Sequence, residues 1–459
     1  MKKENNLSRR NFLKSSALAG AAGVIGTGTT GFLTSCSGDN SSKGGNAPLK
    51  QPGSYYVPNL VDFADDGKEL RAGVVGCGGR GSGAAMNFLD AANGVTIVAL
   101  GDVFQDRVDG LADKLKNDKN IDIPADKRFV GLDAYKQVID SDIDVLIDCT
   151  PPFFRAEHFK YAVEKGKHAF LEKPICVDAV GYRTIVAAAK QAQAKSLKVV
   201  TGTQRHHQRS YVESYKQIMN GAIGEITGGV VYWNQPMLWY RERQQGWSDF
   251  EFMVRDWVNW KWLSGDHIVE QHVHNIDVFT WFSGLRPVSA VGFGSRQRRI
   301  TGDQYDNFSI DFTMENGIHL HSMCRQIDGC ATNVSEFVQG TKGSWSSNGG
   351  HRIKDLEGNV IWEFDYDAEK ANYKQTDPYT LEHVNLINSI RKNEPIEQAS
   401  ETAVSNMAAI MGRESAYTGA EVKWDEMTAA SLNYTPSDLN IGKMDMSGFT
   451  VQVPGSSQK

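Results

Sequence analysis

A glycine-rich hexapeptide limits what this chain can fold into more than any other stretch. Leu70-Arg71-Ala72-Gly73-Val74-Val75 reads as a buried strand, runs into Gly76-Cys77-Gly78-Gly79-Arg80-Gly81, and continues into a helix-compatible segment from Ser82 to Ala92. A G-x-G-x-x-G between strand and helix has a physical reason at each glycine. Gly76 permits the tight turn, Gly78 lets the backbone approach a pyrophosphate, and Gly81 lets helix and strand pack closely. The helix N-terminus then offers free N–H groups to the phosphates. A second strand, Val95 to Leu100, ends at Gly101-Asp102, 21 residues after Gly81. A carboxylate there accepts hydrogen bonds from ribose hydroxyls and repels a 2′-phosphate, which favours NAD over NADP. Arg107 nearby speaks for the latter, and the bland alternative is a solvated aspartate at a strand end.

The alternation continues with strands at Asp144–Cys149, His168–Leu171 and Leu197–Thr201, and helical spacing over Phe154–Lys165 and Asp178–Ala194. Such units imply a parallel sheet with helices on both faces and ligands beyond the strands' carboxyl ends, which puts Gly76, Asp102, Thr150 and Lys173 along one edge. Beyond Pro287, four strand-length runs with turns such as Glu315-Asn316-Gly317 read as an antiparallel meander, and Tyr379–Ile390 and Thr402–Gly412 as closing helices. The fold class is α/β: an N-terminal Rossmann doubly wound parallel sheet, then an α+β domain with a large, mostly antiparallel open sheet.

Composition settles fewer questions. With 49 Lys and Arg against 55 Asp and Glu among 459 residues, the net charge of −6 gives no reason to expect a nucleic-acid partner. Six cysteines are too sparse for a disulfide scaffold. Ser8-Arg9-Arg10-Asn11-Phe12-Leu13-Lys14 before the weakly apolar Ala17–Leu33 resembles a twin-arginine export signal, and Leu33-Thr34-Ser35-Cys36 a lipobox with Cys36 as the lipid site. The partition expected is a signal over 1–35, a flexible tether over 36–68, a Rossmann domain over 69–202 and an α+β substrate and oligomerisation domain over 203–450. Contact with a membrane is expected only through a lipid on Cys36 of a protein exported to a Gram-negative periplasm.

Three features together resemble the Gfo/Idh/MocA oxidoreductases: the glycine fingerprint, Thr150-Pro151-Pro152 followed by Glu157-His158, and Glu172-Lys173-Pro174 after a strand led in by Gly166-Lys167-His168. The resemblance implies a nicotinamide cofactor held by Gly76, Gly78, Gly79, Arg80, Gly81, Asp102, Thr150, Pro151, His158, Glu172, Lys173 and Arg205. It also implies that Lys173 lies near the reacting carbinol, where an ammonium stabilises developing alkoxide. The family's Asp-x-x-x-His-x-x-Asp pattern corresponds to Glu270, His274 and Asp277, with His274 as general base and Glu270 catalytic beside it on one helical face. Two positions depart from that pattern: Glu270 replaces the usual Asp, and His272 the usual Gly.

A metal held by Glu270, His272 and His274 with His206-His207 is the rival reading, but i, i+2 histidines splay apart on a helix, and no metal is expected. His206, Tyr211, Trp257 and Asp277 are the substrate-binding candidates. Six of the ten tryptophans lie between Trp233 and Trp262, interleaved with charges, a composition that suits either a sugar or a core or subunit interface. The expected activity is hydride transfer between a sugar or glycoside hydroxyl and a tightly bound NAD, in a homo-oligomer (dimer or tetramer). The alternatives are an NAD-dependent glycoside hydrolase working through a transient keto sugar, which the family includes, and a non-catalytic glycan-binding lipoprotein.

Overall fold

The computed structural model describes residues 55–455, so the export signal, Cys36 and the tether as far as Ser54 lie outside the described residues. Six strands, β1 (Leu70–Val75), β2 (Val95–Asp102), β3 (Arg128–Val130), β4 (Val145–Asp148), β5 (His168–Leu171) and β6 (Val199–Thr201), form a sheet ordered β3-β2-β1-β4-β5-β6. Every pairing in it is parallel, with Val75 opposite Gly101 on one side and Asp148 on the other. The central strands are short apolar runs because helices cover both faces: five of the six residues of β1 and all four of β4 are buried. The order reverses between β1 and β4, and the loops after β1, β2, β4 and β5 gather at that carboxyl edge.

The second sheet has nine strands: β7 (Ile226–Gln235), β8 (Pro287–Ser295), β9 (Asn307–Met314), β10 (His319–Gln326), β11 (Asn333–Gly340), β12 (Gly343–Ser346), β13 (Arg352–Asp355), β14 (Val360–Glu363) and β15 (Val422–Lys423). Their order is β14-β13-β12-β11-β7-β10-β9-β8-β15, and β10 with β7 is the parallel pair. Period-two burial along β9 and β10 marks one face as core. The helices Val273–Ser283 and Ala399–Thr418 contribute Ile276, Phe279, Met407 and Ile410 to the core that includes Phe312 and Leu320 of this sheet.

Two segments behave otherwise than the expected partition. Residues 55–68, expected within the flexible tether, are packed: Leu60 and Ala64 are buried, Arg209 donates to the Leu60 carbonyl at 2.7 Å, and Asp62 accepts from the backbone of Lys374 and Gln375. The helix Pro378–Arg391 comes from the second half of the chain yet places Leu381, Val384 and Ile387 in the core beneath β1 and the glycine helix.

Candidate active site

The glycine loop forms one wall of a cleft of about 380 Å³ at the carboxyl edge of the parallel sheet. Gly76 has φ +85° and lies so close to the β4 loop that a Cβ would sit 2.6 Å from the Cys149 carbonyl carbon. A Cβ on Gly81 would overlap the Gly76 carbonyl oxygen, so helix and turn touch there without any side chain between them. Gly78 and Gly79 are the opposite case: a Cβ on either meets nothing within 4 Å, because both open on the cleft. The helix Gly79–Asp90 has no side-chain cap, which leaves its first N–H groups for a ligand.

Asp102 lines the same cleft and accepts from the Cys77 N–H at 2.7 Å and the Phe104 N–H at 3.0 Å. Burial raises its pKa above the ordinary carboxylate value. Further along, the buried Asp148 accepts from the Thr150 hydroxyl at 2.7 Å and lies 3.2 Å from His158 Nδ1. Burial alone would raise Asp148, but the neighbouring His158 and Arg155 outweigh it and hold the carboxyl below its ordinary value. Tyr135 stacks on the His158 ring at 4.1 Å, and Thr150, Pro151 and His158 all line the cleft. An open glycine cradle, an uncapped helix N-terminus and a carboxylate at the end of β2 together fit a nicotinamide dinucleotide.

Arg80 and Glu172 serve this cleft differently from expectation. Arg80 borders it, but its guanidinium turns back to pair with Glu172, approaches Glu382 at 3.7 Å and lies 4.5 Å from the centre of the Tyr379 ring. Glu172 is buried against Gly202 and accepts from the Lys173 N–H at 3.1 Å. Both hold the loop after β5. Arg155, which the sequence did not single out, donates to the Glu172 carbonyl at 2.9 Å, the Pro174 carbonyl at 2.7 Å and the Thr150 carbonyl. Its one signal was a charge on an otherwise apolar helical face.

Lys173 reaches the second half of the chain. Its Nζ donates to the Glu270 carbonyl at 2.6 Å and to Glu270 Oε1 at 3.0 Å. Glu270 and His274 do not share one helix, as the spacing suggested. A short helix ends at Glu270 and another begins at Val273, so the Glu270 carboxylate is taken by Lys173 and the Gln271 amide. His274 lies on the face of Trp233, with ring centres 5.6 Å apart, and its imidazole has no hydrogen-bond partner among the described residues. Burial and then the Lys173 charge push its pKa well below the ordinary imidazole value.

The remaining candidates are engaged elsewhere. Arg205 pairs with Glu336, and Tyr211 donates to the same carboxylate at 3.0 Å, so both side chains are held at Glu336. Glu336 is fully buried on β11 and also accepts from Asn275 at 2.6 Å and Ser347 at 2.6 Å. Its place in a strand gave no local signal. His206 Nε2 lies 2.7 Å from Asp277 Oδ2. Burial works against charge on His206, but Asp277 overrides it and the pKa is raised. That pair lines a second cavity with Tyr215 and Trp281, apart from the Lys173–Glu270 contact.

His272 lies 2.7 Å from the Ser322 hydroxyl and 3.4 Å from Asn275 Oδ1, and burial lowers its pKa to about 3. Among the described residues no three His, Cys, Asp or Glu side chains converge as a metal-ligand set. Of the clustered tryptophans, Trp260 and Trp262 are core, while Trp257, expected at the substrate, lines the nucleotide cleft with Trp239.

Comparison with known proteins agrees with this geometry. Residues 70–200 match the model of an oxidoreductase family with an NAD-binding Rossmann fold, and residues 211–346 match the GFO/IDH/MocA C-terminal domain. Residues 6–26 match a twin-arginine translocation signal, which addresses the chain for export across the cytoplasmic membrane. A glycosyl hydrolase family 109 protein of Streptomyces coelicolor is 27% identical over 225 residues, 49% of this chain and 44% of the relative. An alpha-N-acetylgalactosaminidase of Shewanella oneidensis is 25% identical over 237 residues, 51% of this chain and 48% of the relative. The chain thus matches about half the length of these curated relatives. A scyllo-inositol dehydrogenase of Lactobacillus casei, solved with NAD(H) and scyllo-inositol, shares the fold with TM-score 0.58 at 20% identity, over 77% of this chain and 99% of that one. With both of its halves matched, the chain belongs to the Gfo/Idh/MocA oxidoreductase family.

Proposed function

We propose that this protein oxidises a secondary hydroxyl of a sugar or glycoside with a tightly held NAD. The observation that carries the reading is Lys173 held on Glu270, close enough to the partner-free His274 for its charge to act there, on a loop that Arg155 ties to Thr150 of the nucleotide cleft. Bound in the cleft, a nicotinamide supplies a hydride acceptor at the carbinol carbon. His274 is neutral at pH 7, so its free ring nitrogen can take the hydroxyl proton. Lys173, fixed by the Glu270 carboxylate and carbonyl, places an ammonium against the developing oxyanion. The carboxylate at Asp102 supports NAD over NADP.

Free NAD is scarce outside the cytoplasm, and twin-arginine export carries folded proteins, so the cofactor is loaded before export and regenerated either by returning the hydride to the same sugar within the cycle or by passing it to a second substrate's carbonyl. Cys36 carries the lipid that keeps the exported protein at the membrane. Exposed Val291 and Phe293 on β8 support a homo-oligomer.

The likeness to family 109 glycosyl hydrolases favours a second outcome of the same chemistry. A transient ketone acidifies the neighbouring C–H, and elimination then releases the aglycone. Incubating purified protein with aryl glycosides separates the two: keto-glycoside without free aglycone identifies the oxidoreductase, and released aglycone the glycosidase. In either case His274→Ala should lower kcat by about 10²–10⁴-fold. Full turnover in that variant would remove the proposed base.

A further inference from the structure

On the reading that the cleft holds a nicotinamide dinucleotide, we propose that Trp239, Arg241 and Trp257 are cofactor-binding residues that close its adenosine end. All three belong to the chain between β7 and the helix Val273–Ser283, yet they line the cleft beside Asp102 and Arg107.

Arg255 brings this segment across. Its guanidinium donates to both Asp106 carboxylate oxygens, at 3.1 and 2.7 Å, and lies 4.1 Å from the centre of the Phe104 ring, just past the end of β2. The C-terminal tail pins the segment from outside. Ser248 donates to the Ile441 carbonyl at 2.8 Å, the Met444 N–H to Asp249 at 3.1 Å, and Phe449 packs edge-on to Trp260. The β2 end of a Rossmann sheet receives the adenosine ribose, so a wall anchored at Asp106 stands over that part of the ligand.

The chemistry of the wall fits the same ligand. Four arginines line the cleft, and three have carboxylate partners: Arg80 with Glu172, Arg107 with Asp106 and Arg255 with Asp106. The backbone N–H of Arg241 donates to Asp256 at 2.8 Å, but its guanidinium has no carboxylate partner among the described residues. Its guanidinium lies 5.6 Å from the centre of the Trp239 ring, and that ring packs edge-on to Trp257 at 6.1 Å. A guanidinium with free donors can reach the adenosine-side phosphate of the pyrophosphate or stack on the adenine, and indole faces are what an adenine and its ribose pack against. Trp239 is 38% exposed, a large apolar area to leave in water at the lip of an anion site. Retention by this wall is what export of a preloaded cofactor demands.

The test purifies the exported full chain and counts NAD per protein by native mass spectrometry, before and after prolonged dialysis. Wild type should keep its nucleotide. Arg241→Ala, Trp239→Ala and Trp257→Ala should each lose it about tenfold faster or more. Arg241→Lys should fall between, because it keeps the charge without the planar fork. The Arg241 side chain is exposed, so melting of the nucleotide-free Arg241→Ala protein should match wild type, which separates cofactor loss from misfolding. If the variants keep NAD as long as wild type does, the proposal is overturned and the cofactor reading stands. If wild type neither carries NAD nor takes it up in calorimetry, the cofactor reading itself fails.

Discussion

Exchanging single hydrogens at Gly78 and Gly81 for methyl groups should have opposite effects on fold and ligand. At Gly81 the added Cβ falls on the Gly76 carbonyl oxygen and 2.9 Å from its carbon, which is backbone and cannot turn away. The helix must move out from β1, an overpacking cost of about 1–3 kcal/mol. Each kcal/mol moves Tm by roughly 2–4 °C in a domain of 150–250 residues, so Gly81→Ala should melt several degrees early. At Gly78 the backbone is extended, with φ −69° and ψ −166°, and the Cβ meets nothing. Gly78→Ala should therefore melt like wild type. Its methyl would instead occupy the space through which a pyrophosphate reaches the helix N–H groups. Two charge-assisted hydrogen bonds weakened by about 1.5 kcal/mol each correspond to roughly 100-fold in affinity. Scanning calorimetry of nucleotide-free protein and titration calorimetry with NAD read the two effects separately. Unchanged NAD affinity in Gly78→Ala would refute the cradle, and wild-type stability in Gly81→Ala would refute the contact.

Two further perturbations test the buried charges. Glu336→Gln leaves Arg205 without a carboxylate in a site that also serves Tyr211, Asn275 and Ser347, and should cost about 3–5 kcal/mol in urea unfolding; a loss under about 1 kcal/mol would show that the network adds little. Burial holds His207, His272 and His351 down to about 3 from the ordinary 6.5. The unfolded chain takes up those protons first, so folding free energy should be full above about pH 6.5 and decline as pH falls toward 3. His206 has the opposite sign, since Asp277 raises it and its contribution is lost as pH rises, but it stands against these three and against His168, His274 and His383, which burial also lowers. Denaturation at a series of pH values should show this slope, and replacing His272 with Gln should reduce it.

What the sequence made legible was chemistry carried by contiguous residues at strand ends. Gly76, Gly78, Gly81 and Asp102 stand where the spacing put them, because turn geometry and strand length are local. Lys173 was placed by the strand before it, and His274 by its motif. Most departures from expectation concern where a long side chain ends. Arg80 sits in the fingerprint, but its guanidinium is claimed by Glu172 and Glu382, the second about 300 positions away. Arg205 and Tyr211 were drawn to Glu336, whose own segment reads as an ordinary strand. The break at Gln271 and His272 was invisible because helical spacing persists across it. Trp257 was assigned to a sugar on composition alone, which shows what an indole can bind but not which wall it stands in.

The dipeptide Glu172-Lys173 shows why these errors matter for mechanism. Successive residues of an extended chain point to opposite sides. Glu172 turns back to Arg80 on the glycine helix, while Lys173 turns forward to Glu270, just before the helix Val273–Ser283 that carries His274. Arg155 fixes the backbone between them through the carbonyls of Glu172 and Pro174, and ties it to the Thr150 loop of the cleft. A shift of the glycine helix is thus passed to Lys173 through one ion pair and one peptide unit. On the proposed mechanism, the arginine inside the fingerprint would act on the reacting end of the site as a positioning residue. A change at Arg80 should accordingly appear in kcat, through misplaced Lys173, at least as much as in cofactor affinity, which is the reverse of what its position beside a phosphate cradle suggests.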